Sequence, residues 1–251
     1  MKTISDEVLT ELMSVIGGSD AVELKLTVPD SFHRSTGDAL DVDPIQAEIR
    51  QVVFFDTPDL ALNEAGLVVR ARRMAGGAGD TVVKLRPVVP DQIPEDLRSS
   101  GRVSLEVDAM PGGYVCSASM KGKSDAAAVR RVVRGQDTVG SIFSKSQKAF
   151  FKTHAPDGLR MRDLSPLGPI NILKLKFSPE TLGRKMVAEL WLYPNGTRIL
   201  ELSTKCAPRE AFQVAAETRA FLTSRGIDLD GEQQTKTKTA LEFFSSALMA
   251  D

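Results

Sequence analysis

The chain has 251 residues, of which 42% are apolar and 26% charged, a composition that excludes collagenous, disordered and disulfide-scaffold classes. Its 32 basic and 33 acidic side chains leave a net charge of −1, without the basic excess of a generic nucleic-acid binder. No apolar run approaches the ~18 residues of a membrane span, and Asp6, Glu7 and Glu11 stand where an export signal would need an apolar core, so a cytoplasmic chain with no nucleic-acid or membrane partner is expected.

Over residues 1–17, Ile4, Val8, Leu12 and Ile16 recur at steps of four and Gly17-Gly18 follows, which predicts a short amphipathic helix. Period-two alternation then predicts strands over 22–28, 50–56, 67–73, 81–86, 103–109, 170–177, 186–193 and 197–204. Three stretches read as helices: 124–134, opened by Ser124-Asp125 and closed by Gly135; 208–225, from Pro208 to Gly226; and 235–249, with Leu241, Phe244 and Leu248 as its stripe. Gly76-Gly77-Ala78-Gly79 lacks the Lys-Ser/Thr of a phosphate-binding loop and reads as a hairpin, while 87–101 and 155–169 read as loops. Eight strands at short spacing predict an α+β fold: a single domain over 1–251, built on a closed eight-stranded antiparallel barrel with helices packed outside.

Cys116 and Cys206 lie far apart without a C-x-x-C spacing, which predicts two buried free thiols. His33 and His154 have no partner at metal-ligand spacing, so any metal would be held by carboxylates. Phe150, Phe151 and Trp191 are expected in the core, and Arg130, Arg131 and Arg134 on a solvated helix face.

The informative charges sit on the strands. Residues i and i+2 of a strand share a face, so Glu23 pairs with Lys25, Arg70 with Arg72, Lys84 with Arg86, and Glu106 with Asp108. In a meander, two basic strands would stand next to an acidic one. If helices cover the outside of the barrel, that charged face must be the inner one. Four cations in a lumen suit a polyanion such as a triphosphate, because arginine offers bidentate hydrogen bonds to phosphate oxygens. The carboxylates could then hold Mg²⁺ or Mn²⁺.

These residues resemble the CYTH domain, or triphosphate tunnel metalloenzyme, family. Glu23-Leu-Lys25 is similar to the end of its E-x-E-x-K motif, and the block Phe54-Phe55-Asp56-Thr57-Pro58-Asp59-Leu60, followed by Arg70 and Arg72, is its most specific counterpart. Lys84 with Arg86, Glu106 with Asp108, and Ile199-Leu200-Glu201-Leu202 look like further family strands. Phe143–Phe151 is similar to the strand that contributes one more basic residue, here Lys148. Gln234-Thr235-Lys236-Thr-Lys238-Thr-Ala-Leu is similar to the terminal motif, with Lys236 as its lysine and Lys238 as the rival. The similarity runs over about residues 21–244.

The resemblance implies a barrel that hydrolyses inorganic tripolyphosphate or an organic triphosphate with Mg²⁺ or Mn²⁺. It implies Glu23 and Lys25 as catalytic residues and Lys25, Arg70, Arg72, Lys84, Arg86, Lys148 and Lys236 as phosphate ligands. Glu23, Glu106, Asp108 and Glu201 would be the metal ligands. Departures are Ala21 in place of the first glutamate, and Ser203 and Lys205 where further carboxylates are usual; Glu189 could compensate. Hydrolase, nucleotidyl cyclase and non-catalytic phosphate sensor stay open as alternatives, as does the oligomeric state, homodimer included.

Overall fold

The computed structural model describes residues 6–227, 229, 233 and 236–248. Within them nine strands run β1 (Ala21–Val28), β2 (Glu48–Asp56), β3 (Leu67–Met74), β4 (Ala78–Leu85), β5 (Val103–Met110), β6 (Gly113–Asp125), β7 (Ser165–Phe177), β8 (Met186–Leu192) and β9 (Arg198–Cys206). They close into a barrel in the order β1-β5-β6-β4-β3-β2-β7-β8-β9. All eight predicted strands are present, and the helix over 1–17 is seen as α1 (Asp6–Gly17). Ile4, Gln234 and Thr235, like the side chains of Val8 and Leu248, lie outside the described residues.

Two features of the expected barrel need correction. It has nine strands rather than eight, and it is not wholly antiparallel, because β1 pairs parallel to β5. The unpredicted strand, β6, is rich in Ser, Gly and Ala, which carry little strand propensity or apolar alternation. A two-residue turn, Pro111-Gly112, joins it to β5, and Gly112 supplies the positive φ that the turn requires. Since β6 also pairs with β4, it separates the acidic strand from the basic ones. The expected side-by-side meander of basic and acidic strands is thereby replaced.

Apolar residues alternate outward and are covered by helices. Leu67, Val69 and Ala71 of β3 and Val83 of β4 meet Val129 and Val132 of a helix and Phe150 and Phe151 of the next. In chain order the helices after α1 are α2 (His33–Ala39), α3 (Ala61–Glu64), α4 (Glu95–Ser99), α5 (Ala126–Val133), α6 (Lys145–His154), α7 (Ala211–Ser224) and α8 (Lys236–Leu248). On the other side, Leu26, Val28 and Leu202 pack on Phe221 and Leu222 of α7. Both thiols, Cys116 and Cys206, are buried and free. None of the described helices is long and apolar enough to cross a membrane.

The last helix is placed differently. Ala240 and Leu241 of α8 pack against Val52, Phe54, Ile172 and Trp191, which are residues of the inner face. One part of the lumen is therefore an apolar core, and α8 seats its first turn, Lys236 and Thr237, at the edge of the polar remainder.

The Phe-Phe-Asp-Thr-Pro-Asp block has a structural task. Buried Asp56 ends β2 and accepts hydrogen bonds from the backbone N–H groups of Thr57, Leu62 and Asn63 at 2.7, 2.9 and 3.0 Å. That ties the α3 turn to the strand end and aims the chain into β3. At the far end of the β3–β4 hairpin, Gly66 has φ 73°, and a Cβ there would meet the Arg86 carbonyl oxygen at 2.5 Å. Only glycine lets the backbone that carries Arg86 come so close.

Candidate functional site

Strand parity turns the charged pairs inward. Glu23, Lys25, Arg70, Arg72, Lys84, Arg86, Glu106 and Asp108 all line one cavity of about 300 Å³ inside the barrel, together with Glu201 and Lys236. Their neighbours there include Arg50, Lys121, Lys174, Glu189 and Lys205. Lys205 shares strand parity with Glu201, a signal that was legible once the inner face was known, whereas Arg50 on β2 and Lys174 on β7 stand on strands from which the sequence offered no lumen residue. Lys121 sits on the unpredicted strand β6.

The walls are segregated by sign. Glu189, Glu201, Glu23, Glu106 and Asp108 come from four consecutive strands, β8, β9, β1 and β5. The other five strands, β6, β4, β3, β2 and β7, add only cations to the charged lining: Lys121, Lys84 with Arg86, Arg70 with Arg72, Arg50, and Lys174. Ten lining cations against five carboxylates leave the lumen strongly positive, although the whole chain is nearly neutral.

Lysines neutralise the acidic wall. Lys25 lies 2.9 Å from Asp108 and 3.4 Å from Glu23, while Lys84 reaches Asp108 at 3.4 Å. Lys121 sits 3.2 Å from Glu106, which Lys205 also contacts closely. Lys236 bridges Glu189 and Glu201 at 2.7 Å each and lies 5.0 Å above the Trp191 ring. Lys174 holds the other oxygen of Glu189 at 2.8 Å. Burial pushes the carboxyls of Asp108, Glu106 and Glu189 up, but their ammonium partners outweigh it and hold all three below the usual carboxylate range. Burial likewise opposes the charge on Lys25, yet Glu23, Asp108 and Glu201 raise it above an ordinary lysine.

The basic wall is different. Arg72 forms a two-pronged pair with Asp80, its nearest contact at 2.7 Å. Arg70 and Arg86, in contrast, have no ion-pair partner among the described residues, and the Arg70 Nε is a buried donor without an acceptor. Burial, reinforced by Arg72, pulls Arg70 down to about 10, and burial lowers Arg86 and Lys84 as well. These cations are held at an electrostatic cost, an arrangement found where a charge serves a ligand.

Two sequence-based placements are settled by geometry. Lys236 is the lumen lysine, whereas Lys238 is exposed and faces Glu242 at 3.8 Å on the helix surface. Lys148 does not lie on a strand and does not reach the cavity; it is exposed on α6, beside Gly140 and Phe151. The reason is local. Ser144 and Gln147 form a capping box that starts a helix, and the buried Gln147 amide donates to the carbonyls of Thr81 and Met120, locking α6 across β4 and β6. Gly122 leaves the space for it, since a Cβ there would stand 2.5 Å from the Gln147 Oε1.

The metal expected at Glu23, Glu106, Asp108 and Glu201 does not fit the arrangement of these side chains. Hard divalent cations take six or more oxygen ligands, roughly at 2.0–2.6 Å. Among the described residues no three acidic, histidine or cysteine side chains gather as such a group. The four carboxylates instead point to ammonium groups, and the β9 positions after Glu201 on the same face are Ser203 and Lys205.

No protein-family model matches the chain, and no curated protein matches it. Solved structures do. A putative adenylyl cyclase from Hippeastrum, HpAC1, described as having a dominant triphosphatase activity, is 17% identical with a TM-score of 0.63, over 88% of this chain and 95% of that one. A putative adenylate cyclase from Bacillus halodurans is 11% identical with a TM-score of 0.62, over 88% of this chain and 97% of that one. The chain shares their fold.

Proposed function

We propose that the lumen binds a short linear polyphosphate, tripolyphosphate or the triphosphate group of an organic molecule, laid along the basic wall. The observation that carries this reading is the pair Arg70 and Arg86, inward-facing guanidinium groups that form no ion pair among the described residues. A phosphate chain would supply several anionic oxygens in a row, matched to arginine forks and to Lys84. The cavity of about 300 Å³ sits at the small end of ligand sites, roughly 300–1,000 Å³, which favours the phosphate chain over the bulk of a whole nucleotide.

Hydrolysis of a phosphoanhydride bond in that chain is the reading supported by the shared fold with HpAC1, whose description states a triphosphatase activity. Phosphoryl transfer asks a protein mainly for positioning and charge neutralisation. Lys25, Lys84, Arg70 and Arg86 would provide both. Cyclisation is the alternative chemistry and would release pyrophosphate rather than phosphate. Calorimetric titration with tripolyphosphate, followed by product analysis over a panel of triphosphates, is the test. Binding with phosphate release supports the hydrolase; binding without turnover leaves a sensor; an absence of heat and of thermal stabilisation at millimolar ligand refutes the site.

A further inference from the structure

Resting on that polyphosphate reading, we propose that Lys205 supplies, from the protein itself, the positive charge that a divalent cation would carry at the acidic wall. The lumen then takes its polyanion without metal.

Three adjacent strands meet at this point. Glu23 on β1 lies opposite Lys205 of β9 on one side and opposite Asp108 of β5 on the other. The Lys205 ammonium reaches across to the Glu106 carboxylate, which Lys121 approaches from β6 at 3.2 Å. Lys25 occupies the space between Glu23 and Asp108. The acidic patch that could have drawn in a cation is thus already neutralised by Lys25, Lys121 and Lys205. A divalent ion would have to displace two or three ammonium groups from carboxylates that the lysines hold below their usual range.

Lys205 is also suited to contact a ligand. Its side chain is about half exposed at 52%, so the ammonium keeps donors free while one is spent on Glu106. A point charge on a flexible stem can swing from Glu106 to a phosphate oxygen, a bridging task otherwise given to a metal.

The test is calorimetry with tripolyphosphate on the full chain, once in EDTA and once with Mg²⁺ in excess over ligand. Direct Mn²⁺ binding is followed by electron paramagnetic resonance without polyphosphate. The parent is expected to bind at least as tightly in EDTA as with Mg²⁺, which tripolyphosphate itself chelates, and to take up no Mn²⁺ at millimolar concentration. In K205E, reversal of the charge puts a further carboxylate beside Glu23 and Glu106. Binding in EDTA should then fall about tenfold or more and recover with metal, and Mn²⁺ binding should appear. K205M, which adds no acidic repulsion, should lose about tenfold in EDTA with an unchanged circular dichroism spectrum, and it serves if K205E does not fold.

Parent binding that vanishes in EDTA and returns with Mg²⁺ overturns this inference and leaves the polyphosphate reading standing. K205M binding as tightly as the parent in EDTA also overturns it. An absence of binding in either buffer overturns the polyphosphate reading, and this inference with it.

Discussion

Arg70 offers the sharpest separation of stability from function. Its folded-state pKa of about 10 lies well below that of a free guanidinium, so the charged form is disfavoured by folding. A tenfold change in proton affinity corresponds to ~1.4 kcal/mol, giving a penalty of about 3 kcal/mol at neutral pH. The penalty is present below about pH 10 and is relieved as pH rises from there toward the ordinary guanidinium value, where the unfolded chain also loses its charge. Arg70→Met keeps most of the side-chain volume and removes the charge. Part of the penalty is screened by lumen water, so the expected gain is about 2 kcal/mol, or roughly 4–8 °C in melting temperature for a chain of this size. Tripolyphosphate affinity should fall in the same variant by about 10–100-fold, since a charged hydrogen-bonding group is worth ~1.5–3 kcal/mol. Arg70→Lys, which keeps the charge and loses the fork, should bind with intermediate affinity. Thermal denaturation and calorimetry on the three proteins check both signs. An Arg70→Met protein that melts lower than the parent and binds just as tightly would refute the assignment of Arg70 as a ligand-seeking charge.

Further expectations concern the rest of the lumen and its support. Lys236→Met removes the ammonium between Glu189 and Glu201 and should cost about 3 kcal/mol in chemical denaturation, because a buried carboxylate is left unpaired; Lys238→Met, on the surface, should change stability by less than ~0.5 kcal/mol. Glu189 is held well below the carboxylate range, where its lysine partners outweigh burial, so its stabilisation is full above the ordinary glutamate value of 4.5 and is lost as pH falls through its depressed folded value. Glu189→Gln should therefore flatten the acid limb of a stability-against-pH curve, and an unchanged limb would contradict the pairing. Gln147→Ala should destabilise the fold by about 2 kcal/mol through loss of its buried hydrogen bonds to Thr81 and Met120, without altering tripolyphosphate affinity, because α6 stands outside the lumen.

Much of the site was legible in one dimension. Alternation along a strand is a local property, and it was enough to group Glu23 with Lys25, Arg70 with Arg72, and Glu106 with Asp108 on one face. Apolar residues at the intervening positions marked that face as the inner one only in combination with helices to cover the outside. Lys121 escaped because its strand, β6, lacks apolar alternation and has Val115 as its single β-branched residue, so little announces a strand. Lys148 was misplaced because a strand-like reading of 143–151 ignored the Ser144–Gln147 capping box, a local signal that the sequence does contain. The choice between Lys236 and Lys238 depended on where α8 docks, which is a matter of Leu241 and Ala240 packing onto Trp191 and Ile172.

Which charges meet across the barrel was decided by tertiary structure alone. The parallel pairing of β1 with β5, and the insertion of β6 between β5 and β4, gather the carboxylates on one wall and the unpaired arginines on the other. No strand encodes its neighbours, since pairing is set by closure of the whole sheet and by burial of its outer face against helices. The sequence determined which side chains face inward; the order of strands determined that lysines, rather than one another, are what the carboxylates face.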